Sequence, residues 1–341
     1  MKILEIHGQS GDSKIFIDES LKNLPQYIKG KRAVIVTDKN VAQHYQALFP
    51  DCDVIRIPPG EEAKNLSTVE SIYDRLLELE LDRSGFIVGI GGGIVCDVTG
   101  FAASTYMRGL PFGFVSSTLL SQVDASIGGK NGVNFHGYKN IIGVFNQPSF
   151  VICDLEMLKT LSKKDILCGL AEIVKHAVIG NKELFHFLEK NFTDALNLDR
   201  QVIEKLVYDS IIIKSAIVEK DEKEKGERRK LNFGHTLGHA LEKTIGIPHG
   251  EAVSIGMVAA ANLSVRKKLL SREDADRLKL LLKKINLPTE ITAGVDREKI
   301  FVAMGKDKKR QGQGIHFVLL KDIGEAVVEE IPLQQLMEVI N

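Results

Sequence analysis

Residues 85–97, GFIVGIGGGIVCD, decide the fold. The run 85–90 reads as a short buried strand, and a helical pattern follows over 94–106. Gly89, Gly91, Gly92 and Gly93 lie at the joint. Glycines there let the backbone approach a pyrophosphate, and a helix N-terminus favours anionic oxygens. The spacing is not G-x-G-x-x-G, because position 94 is Ile. The segment is therefore open to two readings, a nucleotide site or a tight strand-to-helix turn. Outward from it, strands are expected at 2–6, 14–17, 32–37, 53–57, 112–116 and 150–153, with helices at 40–48 and 66–80. Short apolar runs separated by helices predict a doubly wound, Rossmann-like α/β domain over 1–154. Beyond Asp154 the texture changes: no proline falls between Pro148 and Pro248. Leu167, Leu170, Ala171, Val174 and Val178 recur at helical spacing. Residues 155–341 are expected to form a mostly α-helical domain with one strand at 315–320.

The chain has 341 residues, 45 Lys+Arg and 45 Asp+Glu, hence a formal net charge of zero. That balance argues against a general nucleic-acid binder or a polybasic membrane binder. No run approaches the length of a membrane span, and residues 1–6 lack the pattern of a secretory leader. Cys52, Cys96, Cys153 and Cys168 form no C-x-x-C pair, which reads as reduced thiols in a cytoplasmic protein. The mixed-charge run 219–230, EKDEKEKGERRK, reads as a solvated helix end and loop.

Asp38 ends a strand, where an acid can take ribose hydroxyls or cap the next helix, which opens near Asn40. The stiff turn 58–64, PPGEEAK, can place Glu61 or Lys64 at the carboxyl edge of the sheet. The stretch 117–140 reads as a Gly- and Asn-rich loop holding Asp124, Lys130 and Lys139, suited to a phosphate or carboxylate. The histidines carry the strongest chemical signal. His235 and His239 are four apart and share one helix face. His249 follows after Pro248, and Glu172 and His176 form a second i, i+4 pair. Three histidines and a glutamate suggest a divalent metal, zinc most naturally. Spacing alone favours the His235/His239 pair and leaves open which residues ligate; a single histidine could equally be a core or cap residue. No G-x-S-x-G, H-E-x-x-H or G-x-x-x-x-G-K-[ST] pattern occurs, so serine hydrolase, zincin and P-loop readings lose support. A nucleotide-binding half joined to a metal-binding half suggests metal-assisted hydride chemistry on a hydroxyl.

Six segments, in order, resemble the 3-dehydroquinate synthases. They are PPGEEAKN (58–65), GGGIVCDVTGFAASTYMRG (91–109), STLLSQVDASIGGKNGVN (117–134), KNIIGVF (139–145), GLAEIVKH (169–176) and the 226–251 block. The resemblance runs from about residue 34 to about 309. It implies NAD and one divalent metal, zinc or cobalt, between two domains. It implies Glu172, His235 and His249 as the metal ligands, with His239 moved to a substrate contact. It implies that Asp38, Asn40, Glu61, Lys64, Gly92, Gly93, Asp97, Ser117, Thr118, Lys139 and Thr160 bind NAD. Asp124, Lys130, Asn140, Lys175, Lys214, Arg228, Asn232, His239 and Lys308 would line the substrate pocket. Arg108 would reach the substrate phosphate from a neighbouring subunit, so a homodimer is implied. The family reaction is a lyase reaction of the shikimate pathway. It turns a phosphorylated keto-acid sugar, 3-deoxy-D-arabino-heptulosonate 7-phosphate (DAHP), into 3-dehydroquinate and phosphate. Its steps are transient oxidation at NAD, phosphate elimination, re-reduction, ring opening and intramolecular aldol closure. Ser117 stands where threonine is frequent, and Asn131-Gly132 where Thr-Ala or Thr-Gly is. Other readings are a sister sugar phosphate cyclase of the 2-deoxy-scyllo-inosose synthase type, a metal-dependent polyol dehydrogenase, and a non-enzymatic metal- or nucleotide-binding protein. Lys214 and Arg228 favour a carboxylated substrate over the glucose 6-phosphate of that sister cyclase.

Overall fold

The computed structural model describes residues 1–292, 294–305, 310–311, 314–332 and 335–340. The chain forms two compact units, Met1–Leu161 and Ser162–Asn341. In the first, β1 (Lys2–Gly8) and β2 (Gly11–Ile17) make a hairpin, and α1 (Leu24–Tyr27) follows. Then come β3 (Ala33–Asp38), α2 (Lys39–Tyr45), β4 (Asp53–Ile57), α3 (Leu66–Glu78), β5 (Phe86–Gly91), α4 (Gly93–Thr105) and β6 (Phe112–Ser116). The unit continues with β7 (Lys130–Phe135), β8 (Tyr138–Phe145) and β9 (Phe150–Cys153). One seven-stranded sheet runs β1-β2-β9-β6-β5-β3-β4. All its pairs are parallel except β1 with β2.

The central strands are apolar because both faces are covered. Val34, Ile35, Val36, Ile87, Val88, Ile90, Val115, Val151 and Ile152 are fully buried. Each such side chain contributes about 1.5–3 kcal/mol over leaving it in water. Strand order reverses between β3 and β5, so their carboxyl ends lie side by side. Thr37 ties them there, its hydroxyl donating to the Ile90 carbonyl at 2.7 Å. Open α/β sheets bind ligands at such a reversal.

Two expectations are corrected. Residues 130–145 do not form a loop: β7 and β8 pair as an antiparallel ribbon, Lys130 opposite Phe145. Among the described residues, the second unit holds three strands rather than one. Here α5 (Lys163–Gly180), α6 (Lys182–Leu196), α7 (Arg200–Lys220), α8 (His235–Ile245), α9 (His249–Arg266), α10 (Arg272–Lys284) and α11 (Arg297–Gly305) come first. They precede β10 (Arg310–Gln311), β11 (Gly314–Asp322), β12 (Glu325–Pro332) and α12 (Leu336–Ile340). The strand expected at 315–320 is the middle of β11, paired antiparallel with β12. Side-chain caps start several helices: Ser162 accepts from the Asp165 amide at 3.2 Å, and Ser271 from the Asp274 amide at 3.0 Å. Such a cap contributes about 1 kcal/mol. The mixed-charge run closes α7 and enters a 3-10 turn, Glu227–Asn232.

Candidate active site

In the second unit, three helices present one group of metal-binding atoms. Glu172 lies mid-way along α5, fully buried. His235 and His249 are the first residues of α8 and α9. Gly234 turns the chain into α8 with a left-handed φ of 77°. Gly250 lets α9 start against α5; a Cβ there would sit 2.5 Å from the Cys168 Cα. Its amide donates to the Cys168 Sγ at 3.4 Å. Cys168 is one turn before Glu172, so this contact brings His249 to the carboxylate.

Glu172 Oε1 lies 3.2 Å from His249 Nε2 and 3.5 Å from His235 Nε2. One donor atom from each of the three residues fits within 4.8 Å of the others. Both Nδ1 atoms face acceptors: the Phe233 carbonyl at 3.0 Å from His235, and Glu242 Oε1 at 3.2 Å from His249. With Nδ1–H donated outward, each Nε2, once free of a proton, would offer its lone pair on the side where Glu172 lies. Two neutral imidazoles and a carboxylate fit a zinc- or cobalt-class divalent ion with open positions. Burial pushes the His249 pKa down, but its hydrogen bonds to Glu172 and Glu242 outweigh this and raise it to about 10. A metal must therefore displace a proton there. The His239 ring sits 5.2 Å from that of His235 and 6.5 Å from that of His249. It adjoins the three-donor group without belonging to it. Spacing had pointed to a His235/His239 pair, but that rule works within one helix, and the third donor opens another. Sequence reasoning passed over Glu242, although it continues the His235–His239 stripe by three residues.

Lys175 pairs closely with Glu172, both side chains buried. Lys214 on α7 and Arg228 in the 3-10 turn are buried too. Among the described residues, the buried lysines and arginines are Lys64, Lys175, Lys214 and Arg228. All four are residues that the sequence analysis singled out. Burying a cation costs several kcal/mol unless anions compensate. The Asp221 carboxylate accepts from the Lys225, Gly226 and Arg228 amides at 2.9, 2.6 and 3.1 Å. Burial raises the Asp221 pKa, but these bonds outweigh it and hold it below the usual carboxylate range. The Arg228 guanidinium donates to the Glu222 carbonyl at 2.5 Å, and Asn232 to Glu224 at 2.5 Å. Lys308 lies outside the described residues.

In the first unit, the other residues gather at the carboxyl edge of the sheet. Asp38 ends β3 and caps α2, accepting from the Asn40 and Val41 amides at 2.8 and 2.9 Å. Glu61 and Lys64 follow β4, and Lys64 pairs closely with Asp97 on α4. Gly92 and Gly93 open α4 without a side-chain cap. A Cβ at Gly92 would meet Thr118 at 3.0 Å and one at Gly93 would meet Ala125 at 2.9 Å, so the start of α4 packs too closely for a larger residue without a shift. Ser117 and Thr118 follow β6, and Thr118 exchanges hydrogen bonds with Ser121. Thr160 meets the Tyr45 hydroxyl at 2.8 Å. Asp124 sits in a π-helical turn, Ser121–Ala125.

Lys130, Lys139 and Asn140 lie on the β7–β8 ribbon, which Asn134 fastens to the edge. Asn134 donates to Glu61 at 2.8 Å and accepts from the Asn140 amide at 2.9 Å. Asn140 holds a left-handed φ of 50°. Arg108 does not join this edge. It is exposed past the far end of α4, ~20 Å along the helix from Gly92.

Residues 54–168 match the family described as 3-dehydroquinate synthase N-terminal, and residues 169–310 that described as 3-dehydroquinate synthase C-terminal. The 3-dehydroquinate synthase of Acetivibrio thermocellus is 42% identical over 340 residues, covering 95% of this chain and 94% of the relative. Among solved structures, a 2-deoxy-scyllo-inosose synthase with carbaglucose-6-phosphate, NAD+ and Co2+ matches with a TM-score of 0.89. It is 27% identical and covers 99% of both chains. A 2-epi-5-epi-valiolone synthase from Streptomyces hygroscopicus with NAD+ and Zn2+ matches at TM-score 0.88 and 26% identity. That match covers 100% of this chain and 98% of the other.

Proposed function

The chain belongs to the 3-dehydroquinate synthase family, and from that premise we infer how its residues convert DAHP into 3-dehydroquinate and phosphate. The observation that carries the assignment of residues is the burial of Lys214 and Arg228 in the unit that presents Glu172, His235 and His249. Deep cations suit a substrate bearing both phosphate and carboxylate. A polyol dehydrogenase acting on a neutral substrate has no need of them.

Glu172, His235 and His249 hold the divalent metal, and the carboxyl edge of the first unit holds NAD. When bound, the metal supplies Lewis acidity toward a hydroxyl and NAD a reversible hydride acceptor. The α4 amides at Gly92 and Gly93 receive the pyrophosphate. Asp38 and Asn40 face the ribose, while Glu61, Lys64, Asp97, Ser117, Thr118, Lys139 and Thr160 complete that edge. Lys175 steadies the Glu172 carboxylate. In the second unit Arg228 takes the substrate phosphate and Lys214 its carboxylate. The family resemblance adds Lys130 and Asn140 for the phosphate, and Asp124, Asn232, His239 and Lys308 as further substrate residues.

Supplied with DAHP, NAD and zinc or cobalt, the protein should release phosphate with no net NADH. Stoichiometric NADH would mark a dehydrogenase. Turnover of glucose 6-phosphate in place of DAHP would mark the sister cyclase.

The chain also suits a homodimer. Phe135, Tyr138, Ile141 and Phe145 on the β7–β8 ribbon and Met107 beside Arg108 are 39–53% exposed, apolar side chains that a second copy would cover. Arg108 then serves the partner's site. Arg108→Ala and Arg228→Ala should each be nearly inactive. After subunit exchange their mixture should regain about a quarter of wild-type turnover, because half the dimers are mixed and each keeps one intact site. A mixture as inactive as its parents would overturn the shared site. The four cysteines are thiols, which fits a reducing cytoplasm.

A further inference from the structure

We propose that Glu242 is the positioning residue that turns His249 into a metal ligand and sets the affinity of the centre. The proposal rests on the reading of Glu172, His235 and His249 as the donor set. Glu242 Oε1 lies 3.2 Å from His249 Nδ1. Its side chain is only 8% exposed. A buried carboxylate is costly to keep, so its contacts are informative.

The turn between the two helices explains why this residue can reach. Glu242 occupies the last turn of α8, on the stripe that begins with His235 and His239. Its carbonyl accepts from the Gly246 amide at 3.0 Å, which ends the helix. Gly246 takes a left-handed φ of 69° and redirects the chain toward Pro248 and His249. Glu242 thus grips the turn twice, by its backbone at the start and by its carboxylate at the end. Without the second grip, the His249 ring can rotate about a bond at the very start of its helix.

The two histidines are secured differently. His235 donates to a main-chain carbonyl, that of Phe233 at 3.0 Å, which no substitution at 233 removes. His249 depends on a side chain. A carboxylate there fixes which ring nitrogen carries the proton and makes the other a stronger donor. Glu242 also sets a second negative charge against the His249 ring, on the Nδ1 side away from Glu172.

The test is titration of the metal-free full-length protein with Zn2+ against a competing chelator, and separately with Co2+ read by its visible absorption. Glu242→Gln keeps the shape and removes the charge; Glu242→Ala removes both. Zinc affinity should fall about 10-fold in the first and up to about 100-fold in the second. The cobalt spectrum at saturation should change in both, and Glu242→Asp should recover part of the affinity. Unchanged affinity and spectrum in Glu242→Gln, whatever its melting temperature, would overturn the proposal. His249→Ala separates this from the underlying reading. If His249→Ala weakens binding and Glu242→Gln does not, Glu242 alone is misassigned. If His249→Ala binds as wild type does, the donor set itself is wrong.

Discussion

Glu172→Ala is expected to remove turnover and much of the stability together. With Glu172 as the proposed metal donor, its loss should take away several kcal/mol of transition-state stabilisation, so turnover should fall by roughly three orders of magnitude. The same change strips Lys175 of its carboxylate, and Lys175 is 1% exposed. Breaking a buried ion pair from one side costs about 3–5 kcal/mol. Urea unfolding should therefore show a large drop. The double variant Glu172→Ala/Lys175→Met should regain most of the stability and none of the activity. Survival of both properties in Glu172→Ala would contradict the assigned role. A variant that loses activity but unfolds as wild type would place the stabilising partner of Lys175 elsewhere.

The second large effect comes from a glycine that never touches a ligand. A Cβ on Gly256 of α9 would fall 1.9 Å from the Gly234 carbonyl oxygen and 2.8 Å from its carbon. Both are backbone atoms and cannot rotate away. Gly256→Ala must push α9 off the turn into α8, at about 3 kcal/mol, the upper end for overpacking. His235 is the next residue after Gly234, so zinc affinity should fall with stability. Gly246→Ala is the contrasting case. No heavy atom lies within 4 Å of its Cβ, and only the left-handed backbone is strained. That costs roughly 1–2 kcal/mol. If chemical denaturation ranks Gly246→Ala as the worse of the two, the close approach of α9 to Gly234 is wrong.

The parallel sheet was legible because its strands are buried on both faces. Runs such as Val34–Val36 and Phe86–Ile90 are continuous apolar words, and Asp38 and Asn65 cap the helices that follow β3 and β4. The β7–β8 ribbon was illegible for the opposite reason. Its exposed strand mixes Tyr138, Ile141 and Phe145 with Lys139, Asn140 and Gly143, so it has neither a buried run nor strict alternation. Gly and Asn then argued for a loop. β12 was hidden by Glu325, Glu329 and Glu330, charges that a two-sided reading takes for a solvated segment. At the site, local spacing found His235 and His239 and could not join Glu172 and His249 to them. Those residues open or occupy separate helices, and tertiary packing, including that of Gly250 on Cys168 and of Gly256 on Gly234, brings the helices together. The motif resemblance supplied that set without the packing.

The N-terminal hairpin has a consequence for synthesis. β2 finds its parallel neighbour only in β9, with Lys14 opposite Phe150. The Leu21 amide likewise reaches its acceptor in the Asp154 carboxylate, 2.8 Å away. Contacts of such long range form slowly, and an unpaired strand edge is open to other chains meanwhile. On the ribosome, residues 1–17 emerge and then wait while about 130 more are added, roughly 6 to 26 seconds at ordinary elongation rates. The hairpin is thus made well before its partners exist to lock it in place.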